Sequence, residues 1–349
     1  MLLANVVKIF VLAILACVLT IAWTPLLTHF LYKYKLGKQI RDRKSAPIFS
    51  RLHQKKSGTP TMGGLLIWVT VAGLAIIIFY LAKLTGADIF KELNFLSRGQ
   101  TLLPLGALIA SGLVGLFDDF LNVKKAGPKG GGLRMYHRII IYTLIAVIGA
   151  WWFYSKLEWD LVHIPFVRDA NIGLWYVPLF IFVIVATSFS VNETDGLDGL
   201  AGGILLIAFA AYGVIAFTQG RFDLACFCGV IVGALIAFLW FNIYPARFFM
   251  GDTGAMSLGV TLGIIAMLTN EFLLLPLIGF ILVIESLSVI IQLVSKKICC
   301  KKVFLSTPIH HHFEAIGWPE PKIVMRFWLI SGVAAMLGLI IFLAERILI

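Results

Sequence analysis

Charge is what this chain has least of. Only 13% of its 349 residues are Asp, Glu, Lys or Arg, about half the share found in soluble domains. With 60% of residues hydrophobic and a mean hydropathy of +0.95, a soluble globular fold is excluded. Cysteine is scarce too. Of five, Cys17, Cys226 and Cys228 fall in apolar runs, and Cys299 and Cys300 stand side by side in a basic loop. That leaves no disulfide framework. The chain has no repeat of 20 to 50 residues and no low-complexity stretch, which removes solenoids and disordered tails from consideration. It also lacks the ten-residue alternation of membrane barrel strands.

What it has is long apolar runs. Ten lie near 4-32, 62-82, 101-117, 139-155, 174-191, 200-217, 224-241, 255-270, 272-294 and 327-348. Each is close to the length a helix needs to cross about 30 Å of hydrocarbon. The expectation is an all-α polytopic membrane protein, one membrane-embedded unit over 1-349 with its chemistry in the loops. The first run has no basic leader and no short core, so it reads as a retained span. Of the 29 Lys and Arg, 21 lie in the loops that follow odd-numbered spans. The positive-inside rule then puts those loops in the cytoplasm and both termini outside. The net charge of +11 follows from this topology and from contact with anionic membrane lipids, and implies no nucleic acid.

The polar stretches between spans are few, and Asn192-Glu-Thr-Asp-Gly-Leu-Asp-Gly199 is the densest. Three acids in eight residues between two spans must meet water, a cation or a polar ligand. Asn192, Asp195 and Asp198 stand at i, i+3 and i+6, so a helix opening here would put them on one face. The ordinary alternative is a polar turn whose Asp caps a helix. Asp118 and Asp119 close the third run, where adjacent like charges call for a cation or a basic partner. The alternative there is a solvated helix end. Arg138 follows in a basic loop with Lys124, Lys125 and Lys129.

Three further loops carry candidates. The first inner loop ends in Lys55-Lys56-Ser-Gly-Thr-Pro-Thr61-Met-Gly-Gly64, a flexible Gly-containing segment able to offer N–H groups and ammonium charge to a phosphate. It has no Walker pattern, and an ordinary basic turn is the plain alternative. After the seventh run, Asn242 precedes Phe249-Met-Gly251-Asp252-Thr-Gly254, an Asp in a glycine turn suited to a metal or phosphate. The last inner loop holds Pro308-Ile-His310-His311-His312-Phe-Glu314. Successive side chains point apart on a helix and no Cys or acid stands at zinc spacing, so phosphate binding or proton transfer suits these histidines as well as metal. Glu285, inside the ninth run, is an intramembrane acid whose plainest role is a hydrogen bond to a neighbouring helix.

Together these loops, in this order and with this number of spans, resemble the phospho-N-acetylmuramoyl-pentapeptide transferase family of the polyprenyl-phosphate N-acetylhexosamine-1-phosphate transferase superfamily. The resemblance covers essentially the whole chain and rests on the Lys55 to Gly64, Asn192 to Leu200, Phe249 to Gly254 and Pro308 to Glu314 motifs taken together. It implies transfer of phospho-MurNAc-pentapeptide from UDP-MurNAc-pentapeptide to undecaprenyl phosphate, with UMP released and lipid I formed for peptidoglycan. It also implies a Mg²⁺ cofactor, a site on the cytoplasmic side of the bacterial inner membrane, and a homodimer. By the resemblance Asp252 ligates Mg²⁺ with Asp118 and Asp119 beside it as catalytic residues. Lys56, Asp198 and Phe249 would hold uracil, and Asn192, Asp195, Thr61 and Gly251 would line the ribose and phosphate region. Asn242 would support the nucleotide side. His310, His311 and His312 would close the pocket, the first two catalytic. Three positions depart from the pattern: Asn122 where the family has Lys, Arg138 matching a later Lys, and Glu193 where the family has Leu. Arg cannot act as a base, but it keeps the charge and can hold a diphosphate.

Phosphoryl transfer asks for positioning and charge neutralisation more than covalent chemistry. A single in-line attack by the lipid phosphate is the expected mechanism, with a covalent Asp118 or Asp119 intermediate as its rival. A GlcNAc-1-phosphate transferase is the near alternative in function. A proton-coupled transporter is the distant one, and it would need related halves and midplane acids.

Overall fold

The structure is a computed structural model that describes residues 2–37, 56, 58–126 and 131–348. Ten long helices carry the apolar runs, because a chain in hydrocarbon must satisfy its backbone within each segment. They are α1 (Leu2–Lys33), α2 (Leu65–Thr85), α3 (Leu102–Val123), α4 (Met135–Lys156), α5 (Tyr176–Thr194), α6 (Leu200–Thr218), α7 (Phe222–Asn242), α8 (Gly251–Leu268), α9 (Phe280–Ile298) and α10 (Glu320–Leu348). Among the described residues, nine helices are long and apolar enough to cross a membrane alone. The chain is therefore an all-α, multi-pass membrane protein.

The run expected at 272-294 is not one straight span. It breaks between a short helix, Leu275–Ile278, and α9, with a bend of 83° between the two flanking segments. Pro276 sits in the first turn of the short helix, and Gly279 at the corner has φ −97° and ψ 33°. Its N–H donates to the Leu275 carbonyl at 2.8 Å, closing a turn where a continuing helix would have run on. Apolarity sets the length of such a run, whereas Pro and Gly set where it bends.

Four helices also reach further into polar sequence than their apolar cores. α3 continues past 117 to Val123, and α4, α8 and α10 begin at Met135, Gly251 and Glu320, well before the runs at 139, 255 and 327. Asp118, Asp119, Arg138 and Asp252 are therefore mounted on helices and not on loops, which corrects the loop and turn placements of Arg138 and Asp252.

α8 is the central element. Every residue from Gly251 to Leu268 is buried. Close approach is made possible by small residues at its crossings, as expected where lipid gives no hydrophobic drive between helices. A Cβ at Gly115 of α3 would lie 2.3 Å from the Asp252 carbonyl oxygen, and one at Gly259 would lie 2.8 Å from Ser188 Cα of α5. Trp68 of α2 donates its indole N–H to Thr253 Oγ1 at 3.0 Å, and Thr253 donates in turn to the Gly112 carbonyl at 2.9 Å. The first turn of α8 is thus pinned to α2 and α3 together.

The stretch from Lys156 to Gly173, whose sequence shows no motif, folds at the other end of the bundle into an antiparallel hairpin. Strand β1 (Leu161–Ile164) pairs with β2 (Arg168–Asn171), Leu161 facing Asn171. The hairpin docks on the end of α10: His163 Nε2 lies 3.0 Å from Glu345 Oε2, and Phe166 N–H donates to Glu345 Oε1 at 2.9 Å.

Candidate active site

Asn192 to Gly199 closes α5 and does not open a helix. Asn192 lies in the last turn of α5, Asp195 follows with φ −77° and ψ 57°, and Gly199 at φ 79° leads into α6. Once the helix stops at Thr194, the i, i+3, i+6 spacing no longer shares a face, so the three side chains separate. Asn192 donates to Asp252 Oδ1 at 2.6 Å, Asp195 accepts from Gly251 N–H at 3.2 Å, and Asp198 turns to Lys56 at 2.7 Å. The stretch therefore joins two groups of polar side chains at one end of the bundle.

The first group is a carboxylate centre around Arg138. Its Nη2 donates to Asp252 Oδ2 at 2.8 Å and its Nη1 to Asn192 Oδ1 at 2.9 Å. Arg138 Nε lies 2.8 Å from Asp118 Oδ2 as an ion pair, although neither atom has hydrogen-bond alignment. Asp118 is fully buried, and its Oδ1 accepts the Leu133 N–H at 2.5 Å. The solvated helix end is thereby replaced by an acid held between Arg138 and a loop backbone.

Asp119 faces the start of α8. Its Oδ1 accepts from Thr61 Oγ1 at 3.2 Å and its Oδ2 from Thr253 N–H at 3.0 Å. Gly251 must be glycine here. It has φ +74°, and a Cβ would come 2.5 Å from both Asp119 Oδ2 and Thr61 Oγ1. The segment before α2 is laid along this turn, with Gly63 N–H donating to the Phe249 carbonyl and Gly64 N–H to the Met250 carbonyl, each at 2.8 Å.

The second group surrounds Lys56. Its ammonium lies 2.7 Å from Asp198 Oδ1 and 2.5 Å from Glu320 Oε1, with the Phe249 ring centroid at 5.9 Å and that of Tyr244 at 6.0 Å. Asp198 Oδ2 accepts from Ala246 N–H at 3.0 Å. Asn242 fixes the turn from behind, accepting from Gly199 N–H at 3.0 Å and donating to the Phe248 carbonyl at 2.8 Å. A half-buried aromatic ring beside a cation and two carboxylates can recognise a flat, hydrogen-bonding ring such as a nucleobase.

The three histidines lie on a short helix, Ile309–Ala315, and part ways as their adjacency on a helix requires. His310 is fully buried and its Nδ1 lies 2.9 Å from Glu285 Oε2 of α9. A Cβ on Gly196 would come 2.2 Å from His310 Nε2, so His310 lies directly against the 192–199 turn. His311 Nδ1 contacts Glu314 Oε2 at 2.6 Å, whereas His312 Nδ1 accepts the Leu305 N–H at 3.3 Å. Among the described residues no three His, Cys, Asp or Glu form a metal cage. Asp252 and Asp118 instead offer carboxylate oxygens on either side of Arg138, and Asp118 Oδ2 has that ion pair but no hydrogen bond. That chemistry fits a hard cation such as Mg²⁺, which leans on one or two carboxylates.

Glu320 and Trp68 belong to these groups and stand in no motif of the sequence, and Thr253 is in the Phe249–Gly254 motif but has no role assigned to it there. Glu320 accepts both Lys56 and, at 2.7 Å, the Asp198 N–H, yet in sequence it is one acid before a span. Of the departures noted above, Asn122 is half-buried beside the Gly131-Gly132 turn. Lys124 turns to the Phe120 ring at 4.6 Å and Lys125 is exposed, so neither enters the carboxylate centre. Lys55, Lys129 and the basic stretch 38–55 lie outside the described residues.

Comparison with known proteins bears directly on this geometry. A glycosyl transferase family 4 profile matches residues 101–270, and a phospho-N-acetylmuramoyl-pentapeptide-transferase signature matches residues 56–67. These spans contain the carboxylate centre and the segment from Lys56 that lies along it. The chain is 40% identical to the phospho-N-acetylmuramoyl-pentapeptide-transferase of Chloroflexus aggregans over 96% of its own length and 89% of that relative. Against the same-named protein of a Geobacillus species it is 40% identical over 96% and 98%. For that of Anoxybacillus flavithermus the figures are 41% over 94% and 95%. The chain belongs to the phospho-N-acetylmuramoyl-pentapeptide-transferase family. Membership accounts for the co-occurrence of the loop motifs, and the structure adds the family member's local details: Arg138 among three acids, and Glu320 behind Lys56.

Proposed function

We propose that this chain transfers phospho-MurNAc-pentapeptide from UDP-MurNAc-pentapeptide to undecaprenyl phosphate at the cytoplasmic face of the inner membrane, with both termini outside. The observation that carries the reading is the adjacency of two polar groups at one end of the bundle, Asp118-Asp119-Arg138-Asn192-Asp252 and Lys56-Asp198-Glu320-Phe249, joined by the 192–199 turn. A soluble nucleotide sugar and a lipid-borne phosphate can meet only at such a boundary. The identity to transferases of this name supports the donor and acceptor.

In this reading Phe249 stacks on the uracil while Lys56 and Asp198 hold its polar edge. Thr61, Gly251, Asn192 and Asp195 line the path of the ribose and phosphates, and Asn242 keeps the 199 and 248 backbones in register. Arg138 presents guanidinium charge to the diphosphate. Asp252 would hold a Mg²⁺ ion with Asp118 and Asp119 beside it, and the ion would supply charge neutralisation for the diphosphate. The lipid phosphate, a monoester with a second pKa near 6, is largely dianionic at neutral pH and needs no strong base. It attacks the β-phosphorus in line, the bond to the bridging oxygen breaks, and UMP departs with the electron pair.

Asp118 and Asp119 serve as positioning groups in this scheme, because the oxygens of both already face Arg138, Leu133 N–H, Thr61 and Thr253 N–H. That engagement favours direct attack over a covalent carboxylate intermediate. Glu285 is paired with His310, which supports a structural role and leaves the transporter reading without its midplane acid. His310 and His311 act through the 192–199 turn and Glu314, and His312 closes the rim. UMP release that depends strictly on added undecaprenyl phosphate tests the scheme. A stoichiometric burst of UMP without lipid, lost in Asp118→Asn or Asp119→Asn, would replace direct attack by the covalent route.

A further inference from the structure

A cavity opens at the same end of the bundle as the carboxylate centre, between the last turns of α1 and the loop that leaves α7. It has a volume of about 620 Å³, and its lining includes His29, Lys33 and Arg247 together with Thr28, Tyr32 and Phe241. None of its eight lining residues is acidic. None belongs to the carboxylate centre or to the Lys56 group.

The backbone of Arg247 is held at both ends. Its N–H donates to the Phe241 carbonyl at 2.9 Å and its carbonyl accepts the Tyr32 hydroxyl at 2.9 Å. This fixes the residue against α1 while its guanidinium makes no ion pair or hydrogen bond with any described residue. The Lys33 ammonium has only the Tyr34 ring near it, at 5.9 Å, among the described residues. Among the described residues, two cations without an acidic partner line one cavity, and they give it a positive potential that its acid-free wall does not offset. Thr28 lines the cavity, is buried, and donates its hydroxyl to the Thr24 carbonyl at 2.7 Å.

Two features say what kind of anion this cavity takes. Arg247 stands two residues before Phe249, and Lys33 ends α1, so the cavity lies at the level where the spans meet the polar loops. Along α1 on the way into the membrane, Leu26, Ile21 and Val18 are exposed at 72%, 44% and 57%. An anion at headgroup depth above an uncovered apolar track matches a phosphate ester that carries acyl chains. We propose that this cavity binds the headgroup phosphate of an anionic glycerophospholipid, separately from the acceptor lipid of the transfer reaction. Lys33 and Arg247 hold the phosphate oxygens, Tyr32 and Thr28 border the headgroup, and the acyl chains lie along α1.

The test uses the full-length purified chain, with binding of phosphatidylglycerol, phosphatidylcholine, undecaprenyl phosphate and inorganic phosphate each measured by native mass spectrometry or fluorescent-lipid displacement. Each Lys or Arg near an anionic headgroup contributes roughly a fivefold factor, so Lys33→Gln with Arg247→Gln should weaken phosphatidylglycerol binding about 30-fold. Phosphatidylcholine binding and UMP release with saturating detergent-dispersed substrates should stay as in the unmodified chain, and Arg247→Lys should keep most of the affinity. Unchanged phosphatidylglycerol binding in the double variant would overturn the assignment. So would an equal loss of phosphatidylcholine, or displacement of the lipid by inorganic phosphate at equal concentration. A raised KM for undecaprenyl phosphate with phosphatidylglycerol binding intact would hand the cavity to the acceptor.

Discussion

Arg138 and Asp252, 114 residues apart in the chain, meet at 2.8 Å with the guanidinium donating to Oδ2. The same guanidinium faces Asp118 and Asn192. One cation thereby compensates two buried acids that would otherwise repel each other, and does so through the forked geometry that Lys lacks. Removing one partner of a buried pair commonly costs about 3–5 kcal/mol, because the remaining charges are left uncompensated. Arg138→Gln should therefore lower the thermal midpoint of the purified protein and abolish most turnover. Arg138→Lys should fold better than the Gln variant and keep part of the activity, since the family pattern carries Lys at the matching position, with the remaining loss reflecting the missing fork. Full activity in Arg138→Lys would show that charge alone matters here.

Asp252→Asn gives the complementary change. A neutral amide keeps the shape but weakens a hard cation, so turnover should fall steeply and rise in part when Mg²⁺ is raised. A Mg²⁺ titration of initial rates reads this directly. If activity stays near that of the unmodified chain at ordinary Mg²⁺, Asp252 is not the ligand.

For Phe249 the expected loss is in recognition. Phe249→Ala should raise KM for the UDP-sugar with a smaller effect on kcat, by on the order of 1–3 kcal/mol, the worth of base–aromatic stacking. Initial-rate kinetics over donor concentration decide it. An unchanged KM removes the ring from the nucleotide site.

At the opposite end of the bundle, pH should act on the hairpin. Burial works to lower the His163 pKa, but hydrogen bonds to Glu345 and Asp169 outweigh it and leave the group above its ordinary 6.5. Burial pushes neighbouring Glu271 up to about 7 from 4.5. Both groups hold a proton more tightly folded than unfolded. His163 thus contributes stability that is full below pH 6.5 and lost as pH rises through its raised pKa, while the Glu271 contribution fades between about 4.5 and 7. Hydrogen exchange of the 161–171 amides, corrected for intrinsic rate, should show weaker protection at pH 8 than at pH 5.5, with a flatter profile in His163→Gln. Protection that rises with pH would reverse the assignment.

The ten runs were legible because burial in lipid demands about twenty apolar residues per crossing. The candidate residues were legible because acids and histidines are rare in so apolar a chain. Their partners were not. The bend at Gly279 depends on local φ and ψ that hydropathy does not encode. Asp252 and Arg138 sit on helices whose polar first turns look like loop in sequence. Glu320 was missed because a single acid at a helix start is usually only solvated. The Glu285–His310 pair joins residues 25 apart whose proximity depends on how the short helix folds back on α9.

Topology has a built-in probe. Cys299 and Cys300 are exposed and belong to the basic side, so an impermeant maleimide should leave them unlabelled in intact cells and label them after permeabilisation. A cysteine at Val167, exposed at 66% on the hairpin, should label without permeabilisation. The reverse pattern would invert the chain in the membrane.

The most direct measurement is donor choice by the purified chain with Mg²⁺ and undecaprenyl phosphate. UDP-MurNAc-pentapeptide should yield UMP and a lipid-linked MurNAc-pentapeptide in equal amounts, and UDP-GlcNAc should yield little of either. Faster turnover of UDP-GlcNAc, or no lipid-linked product from UDP-MurNAc-pentapeptide, would contradict the proposed function.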